Sequence, residues 1–107
     1  RHLPVVDERK MVMGLVSQRD LFRAIPPRAL QDGTLYYDKD MLNQVMLKNV
    51  MVKDPVVIEA EAPIGRAILL MAEGKYGCLP VVDKNRKLCG ILTQVDILEL
   101  AAAILQE

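Results

Sequence analysis

The sequence has no tryptophan, one phenylalanine and three tyrosines, so aromatic side chains make up only 4% of it. A core built from this chain must therefore rest on Leu, Val, Ile and Met, drawn from an apolar content of 51%. Net charge is absent as well, because 14 Lys and Arg balance 14 Asp and Glu. That excludes the broad basic field used to bind nucleic acid without sequence preference, and an acidic tail for a basic partner. The two cysteines, Cys78 and Cys89, have no metal or redox spacing and are too few for a disulfide scaffold, which makes a reducing cytoplasm the default setting. Apolar runs such as Ala67–Ala72 are far too short to span a bilayer. What is present is a chain of 107 residues, 26% charged, with the size and composition of one compact domain or of two small halves sharing a core. It opens on Arg1 and runs straight into Leu3-Pro4-Val5-Val6, which reads as a piece of a longer chain.

An internal repeat organises the sequence. Residues 1–24 align without gaps on residues 77–100, a displacement of 76. Leu3-Pro4-Val5-Val6-Asp7 falls on Leu79-Pro80-Val81-Val82-Asp83, Gly14 on Gly90, Gln18 on Gln94 and Asp20 on Asp96. The second copy reads in full. Pro55–Ile58 is a short β-branched strand. A helix then starts at Ala62-Pro63, with Ile64, Ala67, Ile68 and Met71 on one face. Leu79–Val82 and Leu88–Leu92 form a hairpin about the polar turn Asp83–Lys87, and a last helix covers Val95–Gln106. The order strand, helix, strand, strand, helix implies a parallel crossover followed by a hairpin. The first copy shows only the hairpin (Leu3–Val6 and Met11–Val16) and a helix from Arg19 to Ala24 that Pro26-Pro27 ends. It lacks the opening strand and crossover helix, and should leave Leu3, Val5 and Leu15 on a bare sheet face. In the linker between the copies, Gly33 makes a break and residues 40–47 suit a short helix.

Ser17-x-x-Asp20 and Thr93-x-x-Asp96 both stand where a strand becomes a helix. A hydroxyl followed three residues later by an acid is close to a capping box, and an acid suits a helix N-terminus. The same placement also suits a ligand, because a carboxylate there can accept hydrogen bonds from both hydroxyls of a ribose.

Leu-Pro-Val-Val-Asp, a polar turn, then Gly-apolar-apolar-Ser/Thr-x-x-Asp, present twice, resembles the cystathionine-β-synthase (CBS) domain. Val50-Met51-Val52-Lys53-Asp54-Pro55-Val56-Val57 resembles the start of such a unit. The resemblance implies an α/β fold of tandem CBS units related by a pseudo-twofold axis. The C-terminal part of unit 1 would occupy 1–27, a linker 28–48, and unit 2 49–107. It implies a regulatory module that binds an adenosine-containing ligand (AMP, ADP, ATP or S-adenosylmethionine) between the units, requires no cofactor and is not an enzyme. Its mechanism would be a shift in the population of relative unit arrangements, sensed by an attached or associated protein. In such sites the Ser/Thr-x-x-Asp of one unit faces the opening strand of the other. Ser17 and Asp20 would then hold ribose and phosphate, Val56 and Val57 would meet the adenine, and Met51 is a further ligand-binding candidate. Thr93 and Asp96 would serve a second cleft that lacks its partner strand here. Arg1 falls at a position that is often basic and phosphate-facing in the family, and Arg19 lies inside the motif; ordinary surface charge is the simpler account of both. Where the family usually has Thr after the Met, this chain has Val52, which removes a polar contact. The family also assembles as dimers, and a homodimer is expected.

Two other readings stand beside this one. In the first, the pair is a ligand-free dimerisation scaffold and the motifs only cap helices. In the second, Asp20 or Asp96 is a catalytic base, but no second catalytic group accompanies either. His2 is a lone histidine at a strand start, the six Met residues suit core filling, and Cys78 and Cys89 suit small buried strand positions, with Cys78 opposite Leu92. Glu59 and Glu61 are close only in sequence.

Overall fold

The computed structural model describes all residues, 1–107. Along the chain run β1 (His2–Val6), β2 (Val12–Ser17), α1 (Gln18–Ala24), β3 (Arg28–Ala29), β4 (Leu35–Tyr36) and α2 (Lys39–Gln44). A 3-10 turn (Leu47–Asn49), β5 (Val52–Lys53), β6 (Ile58–Glu59), α3 (Ile64–Gly74), β7 (Cys78–Val82), β8 (Leu88–Thr93) and α4 (Gln94–Leu105) follow. The radius of gyration, 17.2 Å, exceeds the roughly 13 Å of a compact domain of about 100 residues, so the chain forms two lobes rather than one sphere.

The repeat is reproduced in detail. His2 pairs with Ser17 and Leu3 with Val16; Cys78 pairs with Thr93 and Leu79 with Leu92, the same register displaced by 76. Both ladders shift register between the two valines, at Val5/Val6 and at Val81/Val82. Both hairpin turns are built alike. Asp7 Oδ1 accepts from the Arg9 and Met11 N–H groups at 2.8 and 3.0 Å, and Asp83 Oδ1 accepts from Asn85 and Lys87 at 2.8 and 3.0 Å. These bonds offset the left-handed backbone at Lys10 (φ 67°) and Arg86 (φ 64°), which costs a non-glycine residue about 1 kcal/mol.

The two copies meet through their own counterparts. Met11 bridges Lys87 in antiparallel sense, and the Leu88 N–H donates to the Lys10 carbonyl at 2.9 Å. Equivalent positions that face each other in opposite directions define a near-twofold axis, as the displacement predicts. At the far end of the hairpins the His2 ring closes on Gly77, 3.5 Å from where a Cβ would stand.

The sheets share the hairpin and differ in which flank carries a third strand, with orders β1-β2-β5 and β6-β7-β8. β6 lies parallel to β7, and the α3 crossover between them packs Ala67 and Met71 on Ile58 and Leu79. Nothing equivalent covers the first hairpin. Leu79 is 0% exposed and its counterpart Leu3 65%; Val82 is 2% exposed and Val6 38%. Val5 and Leu15, expected to be bare as well, are half-buried.

Four local expectations change. The strand expected at Pro55–Ile58 narrows to β6, because Pro55 brings no N–H and residues 55–57 pair with nothing. A separate strand, β5, instead joins the first copy, with Val52 opposite Leu15 and Lys53 opposite Gly14. In the linker the helix ends at Gln44, and a β3–β4 hairpin about Gly33 (φ 88°) appears where only a break was expected. That hairpin is tethered by Phe22 stacked on Tyr37 at 5.9 Å and, at its exit, by an Arg28–Asp38 ion pair at 3.7 Å. Finally, Cys78 faces Thr93 rather than Leu92, because the bulge after Val81 inserts one residue; Cys89, the inserted residue, is exposed rather than buried.

Gly14 is required where β5 crosses it. A Cβ there would collide with Met51 and lie 3.0 Å from the Val52 carbonyl, whereas at Gly90 the nearest atom is Val81 Cβ at 3.7 Å. Gly14→Ala is therefore expected to cost about 1–3 kcal/mol through overpacking, and Gly90→Ala less than about 0.5 kcal/mol. Thermal unfolding of the two variants checks this; equal midpoints would contradict it.

Candidate functional site

Both Ser/Thr-x-x-Asp motifs form complete capping boxes. Asp20 Oδ2 accepts from the Ser17 N–H at 2.9 Å while Ser17 Oγ accepts from the Asp20 N–H at 3.1 Å. Asp96 Oδ2 accepts from the Thr93 N–H at 2.8 Å and from the Thr93 hydroxyl at 3.0 Å. In each case only one carboxylate oxygen is used, and Oδ1 keeps its accepting capacity. The Ser17 N–H holds the Asp20 carboxyl below its ordinary range, helped by the Ser17 hydroxyl and the charges of Arg23 and His2 and opposed by partial burial. Asp20 is thus an anion at neutral pH, suited to accepting hydroxyl donors and not to giving up a proton.

The Asp20 box stands beside a cleft of about 730 Å³ that both copies line. The equivalent glutamines, Gln18 and Gln94, border it from the two sides, as do the equivalent positions Arg1 and Gly77. Ser17, Arg19, Arg23 and Lys75 complete its polar wall, and Phe22 is its one apolar side chain. Symmetric hydrogen bonds shape the floor. The Gln18 N–H donates to the Arg1 carbonyl at 3.0 Å and the Gln94 N–H to the Gly77 carbonyl at 3.1 Å. A smaller depression of about 250 Å³ adjoins the cleft, formed by Asp20, Arg23 and Ala24 with Asn49 and Val50. Arg23 borders both spaces.

The residues singled out from the sequence separate into two groups. Arg1, Ser17 and Arg19 line the cleft, Asp20 lines the adjoining depression, and Met51 packs over Gly14 one strand away. Val57 lies elsewhere, beside Met11 and Val12 at the turn end of the hairpin, and Val56 is 37% exposed. From Val12 to Ser17 the strand runs roughly 17 Å at about 3.4 Å per residue, so Val57 is not brought to Asp20. Asn49 and Val50 take that place, because it is β5 and not residues 55–57 that docks on β2. Thr93 and Asp96 cap α4 and line neither the cleft nor the depression. Arg23 and Lys75 were not singled out. Arg23 was legible as the residue one helical turn after Arg19. Lys75 was not, because its position depends on a left-handed C-cap (φ 57°) that ends α3.

Elsewhere the side chains offer no reactive grouping. Glu59 and Glu61 edge a shallow depression with Asp83, and Glu61 is paired to Lys84 at 3.5 Å in solvent. No three His, Cys, Asp or Glu side chains are grouped to hold a metal ion. Burial pushes the Cys78 thiol up, away from the reactive thiolate. No helix is long and apolar enough to cross a membrane.

Two repeats about a near-twofold axis, each with a capped Ser/Thr-x-x-Asp and with the first of these motifs beside the cleft, define a paired α/β module, and the chain belongs to the CBS domain family. The family profile matches residues 1–27 and 47–103. A CBS domain-containing protein of Dictyostelium discoideum is 34% identical over 97% of this chain and 71% of that protein. Chloroplastic CBSX2 of Arabidopsis thaliana is 31% identical over 98% of this chain, which spans only 51% of that protein. The crystal structure of CBSX2 in complex with AMP matches at a TM-score of 0.71, with 27% identity over 96% of this chain and 72% of that one. The structure of a putative acetoin utilization protein, AcuB, from Vibrio cholerae matches at 0.74, with 33% identity over 99% of this chain and 70% of that one. CBS pairs are regulatory modules and not catalysts.

A depressed carboxyl pKa adds stability above the unfolded value, near 3.9, and that stability is lost as pH falls through the lower folded value. Thermal midpoints should therefore drop on acidification below about pH 4. Asp20→Asn should unfold at lower temperature than the parent at pH 7, and the two curves should converge toward pH 2. Parallel curves across that range would show that the Asp20 charge does not support the fold.

Proposed function

We propose that the chain is a ligand-sensing module that binds an adenosine-containing nucleotide between its two units. The observation that carries this is that two spaces share a bordering side chain. Arg23 borders both a depression walled by the Asp20 carboxylate, whose Oδ1 is free, and a cleft lined by both units. The carboxylate suits ribose hydroxyls, and Val50 and Ala24 offer apolar surface to a base. CBSX2, which holds AMP, supports the same reading. A ligand touching both units favours one relative arrangement of them, which an attached or associated protein can sense.

The ligand-free scaffold remains the second reading, and the completeness of both capping boxes favours it. Calorimetric titration with AMP, ATP and S-adenosylmethionine separates the two. Asp20→Ala should weaken nucleotide binding by about 1–3 kcal/mol, the cost of leaving hydrogen-bond partners unpaired. Asp96→Ala breaks the equivalent cap and controls for the loss of capping; it should leave binding unchanged. No heat from the parent protein with any of the three ligands favours the scaffold.

We also propose that the chain self-associates. Leu3 is 65% exposed and Val6 38%. Exposed apolar surface of this kind recruits another chain. Light scattering at micromolar concentration should give twice the 12.0 kDa protomer mass, reverting to one protomer in Leu3→Lys. A 12.0 kDa particle for the parent protein would refute the dimer. Two free thiols suit a reducing compartment such as the cytoplasm.

A further inference from the structure

The linker between the two copies is held differently from the rest of the chain. From Pro26 to Asn49 no residue is buried, and only Asp38, Met41 and Val45 are half-buried. The β3–β4 hairpin is a sheet of its own, and all four of its strand residues are exposed. Its turn is closed by local bonds. The Leu30 N–H donates to the Thr34 carbonyl at 2.8 Å, the Gly33 N–H donates to the Leu30 carbonyl at 3.0 Å, and Asp32 Oδ1 accepts from the Thr34 N–H at 2.9 Å. Arg28 pairs with Asp38 and donates to Met41 Sδ at 3.3 Å, which ties the hairpin to α2 and not to either unit. A segment with so little buried surface opens more readily than the hairpin ladders on either side of it.

Both ends of this segment, and the chain's one aromatic stack, stand at the site described above. Just before it, Phe22 lines the cleft, Arg23 and Ala24 border the depression, and Ile25 is buried. Pro26-Pro27, with their fixed φ, therefore leave from an anchored point. At its far end Asn49, with Val50, walls the depression beside Asp20, and β5 pins the chain on β2 immediately afterwards. Between these ends Tyr37 stacks on Phe22, with ring centroids 5.9 Å apart and 21° between the planes. Phe22 is the one apolar side chain of the cleft, and Tyr37 does not line it. The Phe22 ring thus belongs to the cleft wall and to the attachment of the linker at once. Phe22 is 50% exposed and Tyr37 45%, so the stack is open to solvent and can part without exposing core.

We propose that residues 26–49 form a strap whose docking on α1 is coupled to occupancy of the cleft, a coupling that rests on the nucleotide reading above. A ligand against Phe22 and Asn49 holds the strap down, and an open strap weakens the ligand. The physical reason is a shared ordering cost. Fixing the Phe22 rotamer against a ligand fixes the ring on which Tyr37 stacks, so the two events together lose that freedom only once. The coupling is reciprocal by linkage. An aromatic pair at this separation shifts an equilibrium by roughly two- to tenfold, which sets its size.

Hydrogen exchange read by mass spectrometry, together with calorimetry, tests the strap with AMP, ATP and S-adenosylmethionine as probes. Any of the three that binds should slow exchange over residues 26–38 by roughly two- to tenfold. Without ligand, Tyr37→Ala should speed exchange over the same residues and leave β7, β8 and α3 as protected as in the parent. It should also weaken the bound nucleotide by about the factor that ligand slows the parent's strap. Tyr37→Phe keeps the ring and should match the parent in both measurements. A nucleotide that binds without slowing exchange over 26–38, or that binds Tyr37→Ala as tightly as the parent, overturns the coupling and leaves the nucleotide site standing. Loss of protection in β7 and β8 along with the linker in Tyr37→Ala overturns the strap as a separate element. Binding of none of the three to the parent overturns the nucleotide reading and the coupling with it.

Discussion

The two-residue pairing of β5 on β2 is the contact on which the arrangement of this molecule depends. It is small, with Val52 against Leu15 and Lys53 against Gly14. Yet it takes the lead-in of the second unit out of that unit and lays it on the first. It is possible only because Gly14 has no side chain where Met51 and the Val52 carbonyl lie. The pairing draws Asn49 and Val50 up beside Asp20, and so makes a depression from what would otherwise be an exposed helix cap. The same crossing places the two hairpins back to back, where Met11 meets its counterpart Lys87.

The molecule holds together with little burial. Ten of its 107 residues are buried, and the one contiguous cluster gathers around Leu79, beneath α3. The first unit has no such cluster and relies on Val16 and Ile25, on its hairpin ladder and on β5. Two sequences of identical Leu-Pro-Val-Val-Asp therefore live in different environments here, with Leu79 beneath α3 and Leu3 65% exposed.

The capping boxes show how one set of atoms serves structure and recognition together. Each carboxylate spends one oxygen on its own helix and keeps the other. Capping keeps the Asp20 charge fixed and its pKa low, so an anion stands ready at neutral pH. The unpaired cations nearby take no part in the cap, and they give the cleft a sign of charge that the composition conceals.

The sequence alone determined the repeat, its displacement, the hairpins and their turns, the crossover helix and both capped motifs, because these are local. Alternation, helical spacing, a Pro in a first turn and an acid three residues after a hydroxyl act over a few residues, and the chain obeys them twice. Tertiary structure decided the rest. The place of Val57 far from Asp20, and of Asn49 and Val50 beside it, follows from which two-residue segment pairs with β2, and short apolar stretches in series look alike in sequence. The exposure of Cys89 follows from a bulge that shifts the ladder by one residue. The gathering of Arg23 and Lys75 with Arg1 and Arg19 needed α1, the end of α3 and the start of β1 to converge. Charge density in a cleft is a property of several segments at once, and a balanced composition carries no trace of it.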